Sequence, residues 1–158
     1  VIPLETHLSY ALGYLQLGLV AAAREELAAL PPETLTTPAV LAVRLEIAMA
    51  DETWEEVITL APDLVAHDAT RERPWVAWAY ALRERERIEE ARETLLAGAR
   101  LVTEPSPLVD YNLACYACLL GDLPEARRLL AGVVARDRSW REVARTDSDL
   151  APLFASKK

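Results

Sequence analysis

Apolar residues recur along most of the chain at the three- and four-residue spacing of one helix face. Read between prolines, glycines and capping residues, that spacing predicts helices near 4–17, 19–30, 38–50, 53–66, 74–85, 88–101, 107–120 and 122–136. Two short ones follow near 140–145 and 148–154. Their starts are marked: Thr37-Pro38 and Ser106-Pro107 put a cap residue before proline at the first helical position. Thr53, Asp122 and Ser139 are each followed three residues on by an acid (Glu56, Glu125, Glu142), as in a reciprocal cap. Each cap contributes about 1 kcal/mol.

Eight helices of 12 to 15 residues, joined alternately by short and longer links, read as four antiparallel pairs, and such an arrangement calls for a search for a fixed period. Small or branched residues early in each second helix serve as anchors: Ala23, Val57, Ala91 and Ala126, spaced 34, 34 and 35 residues apart. Other columns keep the register. Twelve residues before the anchors stand Ala11, Leu45, Ala79 and Ala114; nine before, Tyr14, Ala48, Leu82 and Ala117; three before, Val20, Trp54, Ile88 and Leu123; four after, Leu27, Ala61, Leu95 and Leu130. Small residues let paired helices approach and larger ones fill the space to the next pair.

With this period the chain resembles the tetratricopeptide repeat family, whose unit is a 34-residue helix-turn-helix. Tyr111 to Ala126 carries the likeness best, through Leu113-Ala114, Gly121 between the helices and Glu125-Ala126; the first unit matches through Tyr10-Ala11, Tyr14, Gly18 and Ala23. Glu52 and Glu86 stand where the family has its inter-helix glycine, Arg44 occupies a usually apolar position, and Pro62 falls inside a predicted helix. The charged run Arg83 to Glu90 would by itself continue as one helix, with alternating charge at helical spacing; the register puts a turn there. The expected fold is therefore an all-α superhelix, a solenoid of about four such pairs. Residues 1–158 form a single domain with repeats near 4–36, 37–70, 71–105 and 106–138 and a cap at 139–158. In that cap Trp140, Val143, Leu150, Leu153 and Phe154 are expected to cover the last apolar face. The ending Asp147 to Phe154 resembles the ends of some bacterial members.

Composition agrees: 27 Ala and 26 Leu, the two best helix formers, make up 53 of 158 residues. The net charge of −8 lies wholly in residues 1–79, with four arginines against twelve acids, while residues 80–158 balance. An acidic surface repels phosphate backbones and anionic lipid, which argues against nucleic acid as partner. The most apolar stretch, Leu8 to Ala23, is shorter than the roughly 20 residues of a membrane span, and no positive charge precedes it as in a signal peptide. Membrane insertion is not expected. Two free thiols fit a reducing compartment, so the expected location is cytoplasmic, with a removed leader or larger parent protein left open.

Candidate chemistry is sparse. Cys115 and Cys118 are spaced C-x-x-C but sit in the middle of a predicted helix, without further ligands nearby in sequence or a helix N-terminus to activate a thiol; they read as small packing residues. No phosphate loop, catalytic triad or metal-spaced cluster stands out, so no catalytic residue, metal or cofactor is expected and the chain is read as non-enzymatic. The resemblance implies a ligand surface on the concave face made by the first helices. Carried over by register it comprises Leu8, Leu12, Glu46, Met49, Arg73, Tyr80, Arg83, Tyr111 and Cys115, with Asn112 beside them. In that row the first helices also bring Glu5, Leu15, Ala39, Ala42, Val76, Leu108 and Cys118. Arg83 is expected to fork a ligand carboxylate if a partner binds there through one, and its removal to change folding hardly at all. The lysine-rich clamp of some members is absent.

The functional expectation is a non-catalytic interaction module, an adaptor or scaffold that receives a protein or peptide segment in a preformed groove. Two alternatives remain open: a secretion-type chaperone shielding an apolar segment, and a structural spacer that self-associates.

Overall fold

The four residues that separate the helices of the expected pairs all have left-handed backbone. In the computed structural model, which describes residues 1–155, φ is 74° at Gly18, 56° at Glu52, 60° at Glu86 and 84° at Gly121. Around each the chain closes the same turn. The N–H of the following residue bonds the carbonyl five back (Leu19 to Tyr14 2.8 Å, Thr53 to Ala48 3.0 Å, Arg87 to Leu82 2.9 Å, Asp122 to Ala117 2.9 Å), and the left-handed residue's own N–H bonds the carbonyl three back. These bonds satisfy carbonyls that a helix end leaves unpaired. The 34-residue period is thus written in the backbone as well as in the side chains, and the run Arg83 to Glu90 does turn.

Among the described residues there are ten α-helices and no strand: α1 (Leu4–Gln16), α2 (Val20–Ala28), α3 (Pro38–Ala50), α4 (Trp54–His67), α5 (Glu72–Glu84), α6 (Ile88–Ala99), α7 (Pro107–Leu119), α8 (Leu123–Arg136), α9 (Trp140–Thr146) and α10 (Ala151–Phe154), with 3-10 turns at Pro32–Thr34 and Ser148–Leu150. None is long and apolar enough to cross a membrane. Ends of α1 to α9 differ from the sequence expectation by up to two residues, and the last expected helix, 148–154, divides into a 3-10 turn and α10. α2 stops at Ala28 ahead of Pro31-Pro32, consistent with the bias against helix before proline, and α5 begins at Glu72 because Pro74 is tolerated in a first turn, where N–H groups have no helical partner. α4 runs through Pro62.

Capping follows the prediction at two of five starts. The Ser106 hydroxyl accepts from Leu108 N–H and the Asp122 carboxylate from Glu125 N–H. Elsewhere the hydroxyl turns back to an acceptor left by the preceding turn: Thr37 donates to the Thr34 carbonyl, Thr53 to the Ala48 carbonyl and Ser139 to the Asp137 carboxylate. In each case the same acceptor also takes the residue's own backbone N–H, so a local turn outcompetes the cap.

The helices gather into two compact units, residues 1–68 and 69–158. In the first, α1 packs on α2 and α3, α2 on α3, and α3 on α4. Ala11, Ala23, Leu27, Leu30, Val40, Val43 and Ile47 form a buried cluster, with Leu4, Leu8, Tyr14, Leu15, Val20 and Leu35 packed against it. In the second, α5 packs on α6, α6 on α7, and α7 on α8; the 3-10 turn of the tail lies on α7, and α9 and α10 lie on α8. The anchors Ala23, Val57, Ala91 and Ala126 are all fully buried, as are Ala11, Ala79 and Ala114 of the column twelve before. At the α5–α6 contact the close approach is extreme: a Cβ on Gly98 would stand 2.5 Å from the Trp75 ring, so only glycine fits. Trp75 donates its indole N–H to the Ala69 carbonyl and stacks on Trp78.

The cap differs in detail from the expectation. Leu150 is fully buried and Trp140 packs on the Tyr111 ring, but Val143 and Phe154 are exposed; the buried α9 residue is Ala144. In α9 an alanine fits against the neighbouring surface where the bulkier Val143 points away.

Candidate functional site

Side chains of α5 and α7 in the second unit meet the tail in a cleft of about 340 Å³. Tyr80, Arg83 and Glu84 come from α5, Asn112, Cys115 and Tyr116 from α7, and Asp147, Ser148 and Asp149 from the tail. Four of the sequence-predicted residues, Tyr80, Arg83, Asn112 and Cys115, thus share one site. Tyr111 adjoins it through Asp147. Arg73, one helical turn and more from Tyr80 on α5, does not line it.

Arg83, expected to fork a ligand carboxylate, already holds carboxylates of its own chain. Its guanidinium forks the Asp149 carboxylate, with Nε donating to Oδ2 at 2.9 Å and Nη2 to Oδ1, and Nη1 reaches Glu84 at 3.3 Å. Such two-pronged charged pairs are among the stronger hydrogen bonds. Tyr111, also expected on an open face, is buried and donates its hydroxyl to Asp147 Oδ2 at 2.7 Å. The Cys115 thiol lies 3.8 Å from the same oxygen. Asp147 Oδ1 takes the N–H of Asp149 at 2.9 Å, so the tail turns on itself and splays its two carboxylates toward different helices. Val76 and Cys118, in the same predicted row, are buried as well.

The electrostatics follow from this packing. The hydrogen bond to Asp149 is the main cause that raises the Arg83 pKa, against the opposing effect of burial. Burial, and then the bond to Asp147, pushes the Tyr111 phenol up; burial, and then the negative charge of Asp147, does the same to the Cys115 thiol. Burial also raises Cys118 and Tyr116, the latter opposed by Arg83 and reinforced by Cys115 and Asp149. Thiols held protonated in this way are poor nucleophiles. The Tyr116 hydroxyl is buried and has no hydrogen-bond partner among the described residues.

Cys115, Asp147 and Asp149 also bring one ligand-type atom each within 4.8 Å of one another. They are too far apart in sequence for local spacing to reveal them. The carboxylates are already engaged, by Arg83 on one and Tyr111 on the other, and a guanidinium at Asp149 disfavours a second cation there. One cation against Glu84, Asp147 and Asp149 leaves the lined cleft formally negative.

In the first unit the predicted residues lie outside the cleft described below. Leu8 is half-buried against the core, Leu12 is exposed, and Glu46 and Met49 are half-buried on α3. A cleft of about 350 Å³ there is lined by Arg24, Leu27, Ala28, Leu35, Arg44, Ile47 and Glu56. Arg24 pairs with Asp51 at 2.6 Å and with Glu56 at 3.4 Å, and Arg44 with Glu56 at 3.6 Å. Arg44 can therefore occupy a usually apolar column: its charge reaches over the cleft edge to Glu56.

Sequence reasoning missed the tail acids, Glu84 and Tyr116. The available signal was Asp147-Ser148-Asp149, two acids flanking a short polar residue in a segment read only as a cap. A scan of the sequence against protein-family models finds no match, and neither does a search of curated proteins.

Proposed function

We propose that the chain is a tetratricopeptide-type interaction module, a solenoid of four helix pairs whose first-helix surface receives a protein or peptide segment without catalysing a reaction. The observation that carries this reading is the state of the α5/α7 surface. Arg83, Tyr111 and Cys115 engage a turned segment through its carboxylates, and the segment is the chain's own tail. A surface that holds one acidic segment through side-chain hydrogen bonds has the chemistry to hold another. The four identical turns at 34- and 35-residue spacing support the repeat assignment. The module works in a reducing compartment, where Cys115 and Cys118 remain thiols.

A second reading has its own support. In the first unit Tyr10, Leu12, Leu17 and Leu19 are exposed, which favours shielding of an apolar segment on that side.

Photo-crosslinking separates a first-helix ligand surface from its rivals. A photoreactive residue at Leu12 or Tyr80, on first helices, is expected to capture one and the same partner in cells, while the same residue at Glu93 or Arg128, on second helices, captures none. Capture from Glu93 and Arg128 alone overturns the surface assignment. Crosslinks only between copies of the chain favour the spacer instead.

A further inference from the structure

We infer that Asp147–Leu150 is an internal ligand, and that the α5/α7 surface recognises an acidic partner segment of the same form, with two carboxylates two residues apart followed by a branched aliphatic residue, which must displace the tail to bind. The inference rests on the interaction-module reading and names its partner chemistry and its control.

Three observations carry it. The tail makes its contacts in the manner of a bound peptide: one carboxylate forked by Arg83, the next held by the Tyr111 hydroxyl, and Leu150 fully buried beside them. The backbone between the carboxylates is set by the Asp149 N–H bond to Asp147, so the spacing of the two acids is part of what the surface reads. The fit is also incomplete, because the Tyr116 hydroxyl stays buried without an acceptor among the described residues while lining the same cleft. A buried polar group left unpaired is costly. A partner that supplies an acceptor there gains what the tail lacks.

With the tail in place, Arg83 is already matched and the cleft is formally negative, so an acidic segment finds no free cation. A tethered segment competes at an effective concentration on the order of mM. Affinity for an outside segment is reduced by the fraction of molecules with the tail released. The tail therefore sets the threshold for binding.

The test uses a fluorescein-labelled peptide with the sequence of residues 145–155 and reads its polarisation against the full chain. Asp149→Asn combined with Leu150→Ala loosens the tail. This variant is expected to bind the peptide at least about 10-fold more tightly than the unaltered chain. A peptide with Asn at both acidic positions should lose that binding, and adding Arg83→Ala to the variant should abolish it. Absence of binding by a variant whose circular dichroism retains full helicity overturns the inference, as does binding indifferent to the Asn replacements. If the variant unfolds, hydrogen exchange in the unaltered chain decides. The amides of Asp149 and Leu150 should exchange at least about 10-fold faster than those in the middle of α7 through local opening; equal protection means that the tail never leaves and overturns the proposal. Because crosslinking tests the surface with whatever partner cells provide, its success alongside failure here would remove the internal ligand and keep the module.

Discussion

Residues 1–68 and 69–158 are each built from two helix hairpins, and each has one glycine and one glutamate at its left-handed turns, Gly18 and Glu52 in the first, Glu86 and Gly121 in the second. They differ in charge and in what covers the first helices. The first unit has two arginines against eleven acids, and both arginines are spent on Asp51 and Glu56; its α1 presents Tyr10 and Leu12 to solvent. In the second unit fifteen basic residues meet fourteen acids, and the α7 row lies under the tail. Repeat position alone therefore does not tell which side chains are available to a ligand. A single added segment converts the row from open surface to packed interface.

That asymmetry is sharpest at alkaline pH. Tyr111, Cys115 and Tyr116 have folded-state pKa values above the ordinary 10, 9 and 10, and all three belong to the second unit. A group raised in this way stabilises the fold fully below its ordinary value, and that contribution is lost as pH climbs from there toward the folded value. The urea midpoint should fall steeply above about pH 9, and Cys115→Ala should lessen the fall. A midpoint unchanged between pH 8 and 10.5 would show that these groups reach solvent.

Next in size is Leu150→Ala, which empties a fully buried site under α7 and should cost about 2–5 kcal/mol. Leu12→Ala, on the exposed face of α1, should shift stability by no more than about 0.5 kcal/mol. Urea denaturation of both variants measures the contrast; equal shifts would mean that the tail packs no more firmly than a surface side chain.

The arginines give a smaller contrast. Arg83 and Asp149 are 28% and 14% exposed, so Arg83→Ala strands a largely buried carboxylate and should cost about 1–2 kcal/mol after allowance for solvent. Arg24 and Asp51 are 39% and 38% exposed, and Arg24→Ala should cost about 0–1 kcal/mol. Thermal melts that rank the two the other way would place the stronger pair in the first unit.

Much of the helix order was legible in the sequence, because a face buried along a whole helix writes a periodic pattern and because small residues at Ala11, Ala79 and Ala114 mark where helices touch. The turn within Arg83 to Glu90 was legible only from the period, since local charge spacing pointed to a continuous helix. The candidate site was half legible. Register put Tyr80, Arg83, Asn112 and Cys115 together, but the partners of Arg83 and Tyr111 lie 66 and 36 residues away in sequence, and no local pattern links such positions. Caps failed where hydroxyls had competing acceptors, as at Thr53, a choice that depends on three-dimensional distances.

The smallest expected effect tests the likeness between the units. Glu52 and Glu86 occupy the left-handed position that Gly18 and Gly121 fill in the sister turns, with the same pair of backbone bonds around each. A side chain at positive φ crowds the backbone, at a cost of roughly 1–2 kcal/mol, which glycine avoids. Glycine in turn loses more chain freedom on folding, which offsets part of the gain. Glu52→Gly and Glu86→Gly should therefore each stabilise by about 0.5–1 kcal/mol, by nearly equal amounts because the two turns are alike. Gly18→Ala and Gly121→Ala should destabilise by about as much, although nothing stands within 4 Å of a Cβ at either site, so strain in the backbone is the only steric source. Urea midpoints of the four variants decide. Opposite signs for Glu52→Gly and Glu86→Gly would mean that one glutamate side chain stabilises its turn by more than its backbone strain costs, and that the turns are equivalent in geometry but not in energy.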